Sequence, residues 1–324
     1  MPESIHPFPA SVQDKLFKTE RGDLCLCLHE AWPSLLIDLG LLGPVAVVSH
    51  SEQVALASFS VQLEFLPVPG GTEMVEVGSG ICIETSRLGC VIAGQEVETG
   101  KLSLHFFDRD GFGLFKVMPA PGSDRDGFIQ LMEHYARDPE LVHSQDPVLE
   151  PLFLGQGAVT AEEREHLRKA WTTFPAALGG NLVPGGQGVS WWDALRLAGP
   201  GRAKPINKEG LLKAILAAHH HEGLLRFSAW RGGLHQEIAL VPRRLEKCGQ
   251  CFHLLDVSRE AHLFFESGFE AWVGFHGNHH TPAVHIFARD GQRRGVIQFD
   301  EAAPENEAWK RLIFEANLPL PDLS

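Results

Sequence analysis

The sequence predicts an α+β fold of two tandem structural repeats, each a large antiparallel β-sheet flanked by helices. One octapeptide occurs twice, as LHFFDRDG at 104–111 and as VHIFARDG at 284–291, with an offset of 180 residues between the two histidines. Alternating apolar and polar residues around each Asp-Gly pair predict two antiparallel strands joined by a tight turn. Because such hairpins are local and the helices stand apart from them, the pattern indicates the α+β class.

The first half begins with a short helix that leads into a strand, in residues 31–52. Alternating runs such as ASFSVQLEFLPV (57–68) then predict strands with one buried face. A hairpin is predicted over residues 104–118. Residues 127–136 follow it as an amphipathic helix, with apolar side chains at i, i+3, i+4 and i+7.

The second half repeats this plan. Residues 210–231 match residues 31–52 at an offset of 179, a second hairpin is predicted at 284–299, and an amphipathic helix is predicted at 305–316. A segment rich in Pro and Asp separates the two halves. We therefore predict an N-terminal repeat at residues 1–137, a linker at 138–158 and a C-terminal repeat at 159–324.

Composition and charge exclude several classes of function. A net charge of −13 argues against a general nucleic-acid-binding protein, which needs a basic surface. No apolar run approaches the ~20 residues of a membrane span, so no membrane association is predicted. The N-terminal stretch has no uninterrupted apolar segment of the secretory kind, and we expect a cytoplasmic protein. Phosphate-loop, nucleophile-elbow and H-E-x-x-H motifs are absent from the sequence.

The six cysteines are predicted to be reduced thiols, because they show no framework spacing. Cys248 and Cys251 form a lone CxxC motif. A metal or redox site needs a second pair of ligands, and the sequence around the motif offers none at the usual spacing. We therefore interpret these two residues as structural cysteines on a strand or turn.

Several short motifs follow one another in the order typical of a known family. They are Trp171, the helix Trp191–Leu195, the strand Glu270–Val273, the hairpin Phe287–Gly291 and the helix start Trp309–Arg311. In order and spacing they resemble the bacterial haemin-degrading or haem-utilisation proteins (HemS/ChuX type) in their two-repeat form, over about residues 28–318. The resemblance implies haem as the ligand and a cytoplasmic role in binding and trafficking haem for iron transport.

The resemblance also implies two axial histidines, but this sequence has Leu56 and Leu178 at the matching positions. Leucine has no lone pair to donate to iron. Because oxidative haem degradation needs a ligand that holds the iron, we expect a carrier more than an enzyme, and we predict no catalytic residue. A partner protein that donates or accepts haem is expected.

The predicted haem cleft lies between the sheet of the second half and the helices around Trp171 and Leu197. Trp191, Trp192 and Leu178 are predicted to contact the porphyrin, since burial of its flat apolar surface drives binding. Arg231 or Arg202 would pair with the propionates. The iron ligand is predicted to be His235, which is the counterpart of Leu56 at an offset of 179, or a histidine of the HGNHH loop: His276, His279 or His280.

Several histidines could have a purely structural role, and other functions remain open for the protein. The loop histidines suit a solvated loop, and His219–His221 suit a helix C-terminus that favours polar groups. His105 and His285 occur at equivalent places in both repeats, which favours a requirement of the fold. At the level of function, the alternative is a divergent family member that no longer binds haem and acts as a binding module for another apolar ligand or a partner protein. An enzyme acting on another substrate also stays open.

Overall fold

A computed structural model describes most of the chain. The described residues are 15–19, 23–29, 31–51, 53–67, 73–76, 80–96, 99–137, 162, 165, 169, 190–199, 202–265, 269–276, 281–289 and 291–299. The predicted linker, the helix around Trp171 and the helix at 305–316 lie outside these residues. Within the described part of the chain, no helix is both long and apolar enough to cross a membrane.

In its described residues the first half contains two helices and ten strands. In chain order they are β1 Phe17–Lys18, β2 Leu24–Leu28, α1 Trp32–Gly40, β3 Val45–His50, β4 Val54–Val61, β5 Phe65–Pro67, β6 Glu73–Glu76, β7 Ile81–Glu84, β8 Leu88–Gln95, β9 Leu102–Asp108, β10 Gly113–Pro119 and α2 Arg125–His134. A short 3-10 helix, Thr85–Arg87, joins β7 to β8.

The described part of the second half contains two helices and nine strands. They are α3 Trp191–Ala198, β11 Ala203–Ile206, α4 Lys208–His220, β12 Leu225–Arg231, β13 Leu234–Leu240, β14 Arg244–Cys248, β15 Cys251–Leu255, β16 Arg259–Phe264, β17 Glu270–His276, β18 Thr281–Phe287 and β19 Arg293–Phe299. Antiparallel sheets with few helices confirm the α+β prediction. Gly111 and Gly291 have φ of 81° and 75°, as the predicted Asp-Gly turns require.

The chain folds into two compact units that are not simply its two halves. Unit 1 contains residues 1–50 and 57–150 together with Arg231–Gln236. Unit 2 contains Ser51–Leu56 together with residues 151–230 and 237–324. Each half therefore gives six residues to the compact unit of the other half, and the two exchanged segments are 180 residues apart.

The main sheets of the two units have the same strand order. In unit 1 the order is β2-β8-β9-β10-β3-β4, extended at its edge by β1; in unit 2 it is β11-β17-β18-β19-β12-β13. Each unit also has a smaller run of strands, β5-β6-β7 in unit 1 and β14-β15-β16 in unit 2. Strand by strand, the elements correspond in the order expected of a duplicated chain.

Two hydrogen bonds fix this correspondence residue by residue. The Phe264 N–H donates to the Gln53 carbonyl at 2.9 Å in unit 2, and the Glu84 N–H donates to the Gly233 carbonyl at 2.8 Å in unit 1. Donors and acceptors each differ by 180 residues (264 − 84 and 233 − 53).

The same offset corrects one sequence-based assignment. At 180 residues the counterpart of Leu56 is Gln236 and not His235, because the exchanged segments 51–56 and 231–236 correspond without a shift. The offset of 179 holds for the preceding helix, where buried Leu35 matches buried Ala214. It is already 180 in the strand after the helix, because Val45 pairs with Pro119 and Leu225 pairs with Phe299. His235 instead corresponds to Ala55.

Helices α1 and α2 contribute one buried face each to the core of unit 1. The buried residues of α1 include Trp32, Leu35, Leu36 and Leu39, spaced as one face of a helix. Helix α2 confirms the amphipathic prediction for 127–136, because its apolar residues are buried and its N-cap Asp124 accepts a bond from the Gly127 N–H at 2.8 Å.

Candidate functional site

Helix α3 carries the predicted tryptophans and packs on the sheet of unit 2. Ser190 caps it, since its hydroxyl accepts a hydrogen bond from the Asp193 N–H at 3.0 Å and donates one to the Asp193 carboxylate at 2.7 Å. The buried residues follow the i, i+3, i+4, i+7 spacing of one helix face: Trp191, Ala194, Leu195 and Ala198. Together with Phe287 and Ala203 of the sheet they form a separate apolar cluster.

Trp192 lies against aromatic residues of two strands. Its ring meets Phe287 edge-on at a centroid distance of 5.2 Å, and it meets Trp272 at 6.0 Å. The Trp272 indole N–H in turn donates to the Glu270 carboxylate at 2.8 Å. Edge-to-face contacts of this kind fix α3 on the sheet.

Trp191 belongs to a group of four residues that we call the Trp–Arg cluster: Trp191, Trp230, His285 and Arg293. The Arg293 guanidinium lies 4.2 Å from the ring centroid of Trp191 and 4.2 Å from that of Trp230. The His285 ring stacks on Trp191 at 4.8 Å. Burial lowers the pKa of Arg293 to about 9, so the group still carries its positive charge at neutral pH. Two indole rings thus hold one cation.

The sheet face below this cluster is buried but polar. Cross-strand register places Ser228 and His285 on the same face, because both pair with Val296, and Gln298 is two residues further along. Ser228, His285 and Gln298 are at most 9 % exposed. The opposite face carries only apolar side chains at the adjacent positions, such as Phe227 and Ile297. Because buried polar groups are costly unless they are hydrogen-bonded, this face differs from an ordinary apolar core face.

The predicted propionate partners lie in different units. Arg202 follows α3 in unit 2, and its Nη1 atom is buried without a hydrogen-bond partner among the described residues. Arg231 belongs to unit 1, where its guanidinium lies 5.2 Å from the Phe112 ring centroid.

The predicted iron ligands also belong to different parts of the chain. His235 belongs to unit 1, pairs with Cys82 across β13 and β7, and has a buried Nε2 atom. His276 ends β17, whereas His279, His280 and Leu178 lie outside the described residues. Leu56 is fully buried in the apolar core of unit 2, where its side chain contributes only packing. Of the predicted site residues, the structure brings Trp191 and Trp192 together on α3.

Sequence reasoning missed Arg293, Trp230 and the contact made by His285. In the sequence Arg293 is one of two adjacent arginines, and His285 is a histidine that occurs at equivalent places in both repeats. Their convergence depends on strands β12, β18 and β19 meeting α3, and no sequence spacing reveals that meeting.

Unit 2 also contains an open cavity of about 750 Å³ beside the N-terminus of α4. Its walls include two lysines and two phenylalanines: Lys204, Lys208, Phe265 and Phe269. The Lys208 ammonium lies 4.7 Å from the Phe265 ring centroid, and burial lowers the pKa of Lys204. Volume and lining suit a small molecule with an apolar body and an anionic group.

Comparison with known proteins identifies the fold. No protein-family model matches this sequence, and no curated protein does. Among solved structures, apo-PhuS, a haem-binding protein from Pseudomonas aeruginosa, superimposes with a TM-score of 0.74 at 20 % identity, covering 89 % of this chain and 86 % of that chain. The haem-degrading enzyme ChuS of Escherichia coli O157:H7 superimposes with a TM-score of 0.73 at 16 % identity, covering 90 % and 86 %.

This chain has the fold of PhuS and ChuS. Holo-PhuS gives the same result, with a TM-score of 0.73 at 22 % identity over 89 % of this chain and 86 % of that chain. The fold predicted from the family resemblance is thereby confirmed. At identities this low, the PhuS–ChuS likeness establishes the architecture, and residue-level function has to be argued from the side chains of this chain.

Proposed function

We propose that this protein binds haem and carries it during haem-iron utilisation. The observation that carries the proposal is the fold, which extends over about nine-tenths of the chain and is that of PhuS, a haem-binding protein, and of ChuS, a haem-degrading enzyme. A protein that passes haem onward needs a partner, so a haem-transfer protein is part of the proposal.

The proposed site is the α3-bearing face of the sheet in unit 2. Trp191 and Trp192 supply apolar area for a flat macrocycle, and Arg293 supplies a cation for a propionate, with Arg202 beyond the end of α3 as a second cation. Trp191 is only 8 % exposed and its ring already contacts His285 and Arg293. Haem binding at this face therefore requires the side chains of α3 to separate from the sheet.

The iron ligand in this proposal is a histidine outside the two usual positions. Leu56 and Leu178 have no donor atom, so we propose His279 or His280, which follow β17 and His276 in the sequence. The other ligand predicted from the sequence, His235, belongs to unit 1. Because the usual axial histidines are replaced, carriage is favoured over oxidative degradation.

A haemin titration followed by Soret absorbance tests the proposal. We expect a saturable shift at micromolar haemin, weakened at least about tenfold in Arg293→Ala because a charge-assisted contact is lost. Arg244→Ala is the matched control, since the side chain of Arg244 is 70 % exposed on another strand. No saturable shift in the unmodified protein would refute haem binding.

The choice of ligand is tested separately with His235→Ala and with the double variant His279→Ala/His280→Ala. One of them should change the Soret band, whereas His220→Ala at the exposed end of α4 should not. An unchanged spectrum in both variants would remove these histidines as ligands and leave haem binding itself standing.

The second candidate function is a binding module for another apolar ligand. The cavity beside α4 favours it, because two lysines adjoin two phenylalanine rings there. The fluorescent probe 8-anilinonaphthalene-1-sulfonate has this combination of aromatic body and anion. Saturable probe binding that is lost in Lys208→Ala, together with a failed haemin titration, would favour the module over the haem carrier.

A further inference from the structure

The outer face of the β14-β15-β16 sheet carries a group of metal-binding side chains. Cys248 pairs with Cys251 across the hairpin, and His253 pairs with His262 across the next strand pair. Cys251 and His253 are two residues apart on β15, so all four positions share one face. The other face holds Leu254, Ala261 and Leu263, which are fully buried in the core.

Three of these side chains already converge. The ligand atoms of Cys251, His253 and His262 all lie within 4.8 Å of one another. The two histidine Nδ1 atoms are 2.5 Å apart, and the ring planes are perpendicular. Cys248 is exposed at the end of β14, directly opposite Cys251, so rotation of its side chain can bring a second sulfur to the group.

Glu260 orients one of the rings. Its carboxylate lies 3.2 Å from Nε2 of His262, which leaves Nδ1 facing His253. Metal-binding histidines almost always donate their other ring N–H to such a carboxylate or carbonyl.

We propose that Cys248, Cys251, His253 and His262 form a tetrahedral zinc site. Two thiolates and two imidazoles are the ligand set that Zn²⁺ takes in closed structural sites. With Zn–N bonds of about 2.0–2.1 Å, two nitrogens at a tetrahedral angle are about 3.3 Å apart. The two imidazoles therefore need to separate by less than about 1 Å to admit the ion. With four protein ligands the metal links strands β14, β15 and β16 and has no open coordination position for catalysis.

The equivalent strands of unit 1, β5-β6-β7, show that the fold does not require these ligands. Because the Glu84 and Phe264 hydrogen bonds correspond, Cys82 stands at the position of His262. Val75 pairs with Cys82 and so corresponds to His253, and Glu73 pairs with Glu84 and so corresponds to Cys251. One sheet carries the Cys/His set, and its structural equivalent folds with a different set of residues.

Zinc binding by the full-length, reduced, metal-free protein tests this site. We expect one equivalent of Zn²⁺ in competition with a chromophoric chelator. Titration with Co²⁺ should give the intense visible bands of a tetrahedral ion and a thiolate-to-metal charge-transfer band. Cys251→Ser and His262→Gln should weaken binding by more than about 100-fold, and Glu260→Ala by about 10- to 100-fold, as for other outer-shell partners.

Cys248→Ser removes the proposed fourth ligand. Because Cys248 is exposed, this substitution leaves the core unchanged. Cys90→Ser and His220→Gln are matched controls on other elements and should bind zinc like the unmodified protein. Absence of zinc binding by the folded unmodified protein, or an equal loss in the Cys90→Ser control, would overturn the proposal. A failed haemin titration would not affect it, because the site shares no residue with the proposed haem face.

Discussion

The main sheets of the two units have the same strand order, but they fill the same place in the core differently. In unit 1 the cross-strand pair Phe106 and Phe115 stacks with ring centroids 4.1 Å apart. The equivalent pair in unit 2 is Ile286 and Gly295. A Cβ at Gly295 would lie 2.8 Å from Val54, so a branched side chain from another strand occupies the volume that a ring fills in unit 1. Packing partners diverged while the backbone plan was kept.

The repeated histidine shows a second divergence. His105 accepts or donates a 2.9 Å hydrogen bond with Ser103 on its own strand, whereas His285 stacks on Trp191 of α3. The shared residue belongs to the common fold, and the surroundings of its second copy include the tryptophans and Arg293. Features found in one unit only, such as this cluster and the Cys/His group, therefore point to function better than features found in both.

The largest expected effect comes from breaking the aromatic stack of unit 1. Phe106→Ala should lower the free energy of unfolding by about 3–5 kcal/mol, because it removes a fully buried ring and leaves a cavity. Urea unfolding followed by fluorescence and circular dichroism measures it. Phe112→Ala is the control, since this ring is 53 % exposed and should cost about 1 kcal/mol or less. Equal costs would mean that the stack is not a core contact.

The matching test in unit 2 adds volume where unit 1 has a ring. Gly295→Ala should destabilise the protein by about 1–3 kcal/mol, because the new methyl group meets Val54 at 2.8 Å and the Ser228 carbonyl at 3.3 Å. Gly113→Ala places a methyl group 3.8 Å from Phe107 and should be close to neutral. The same unfolding experiment compares the two; a neutral Gly295→Ala would show that the strands of unit 2 can separate at no cost.

A buried amide distinguishes the exchanged segments. Gln236 is fully buried, and neither amide atom has a hydrogen-bond partner among the described residues, whereas its counterpart Leu56 is apolar. Gln236→Leu should therefore raise the free energy of unfolding by about 1–2 kcal/mol, since an unsatisfied polar group is removed at similar volume. Thermal unfolding measures this gain, and a loss of stability would mean that the amide is bonded in solution.

The smallest expected effect depends on pH and concerns His105. Burial, followed by the charge of Lys116, lowers the pKa of His105 from 6.5 to about 4. The unfolded chain therefore takes up this proton first, and stability falls as the pH drops from about 6.5 to 4. Solvent screening at this partly exposed ring keeps the effect to about 1 kcal/mol. The cost of His105→Asn should be constant above pH 7 and shrink below 6.5; a constant cost at all pH values would contradict the assignment.

Local patterns predicted the hairpins, α1, α2 and the duplication, because a period of 2 or 3.6 residues and an Asp-Gly turn are short-range signals. The exchange of segments 51–56 and 231–236 was not predictable, since no local pattern tells which sheet a strand joins. The sequence showed Cys248 and Cys251 as a lone motif. Only the register of β15 with β16 brings His253 and His262 to the same face as those cysteines.

The exchanged hexapeptides determine how each half of the chain would behave alone. Each half, expressed alone, lacks the six residues that the other half gives to its compact unit, and the edge they would have covered is left as a template for pairing. Two separate half-length chains would have to exchange these strands between molecules, as domain-swapped dimers do, and the exchange would depend on protein concentration. In this chain both halves are covalently joined, so the exchange is intramolecular and independent of concentration.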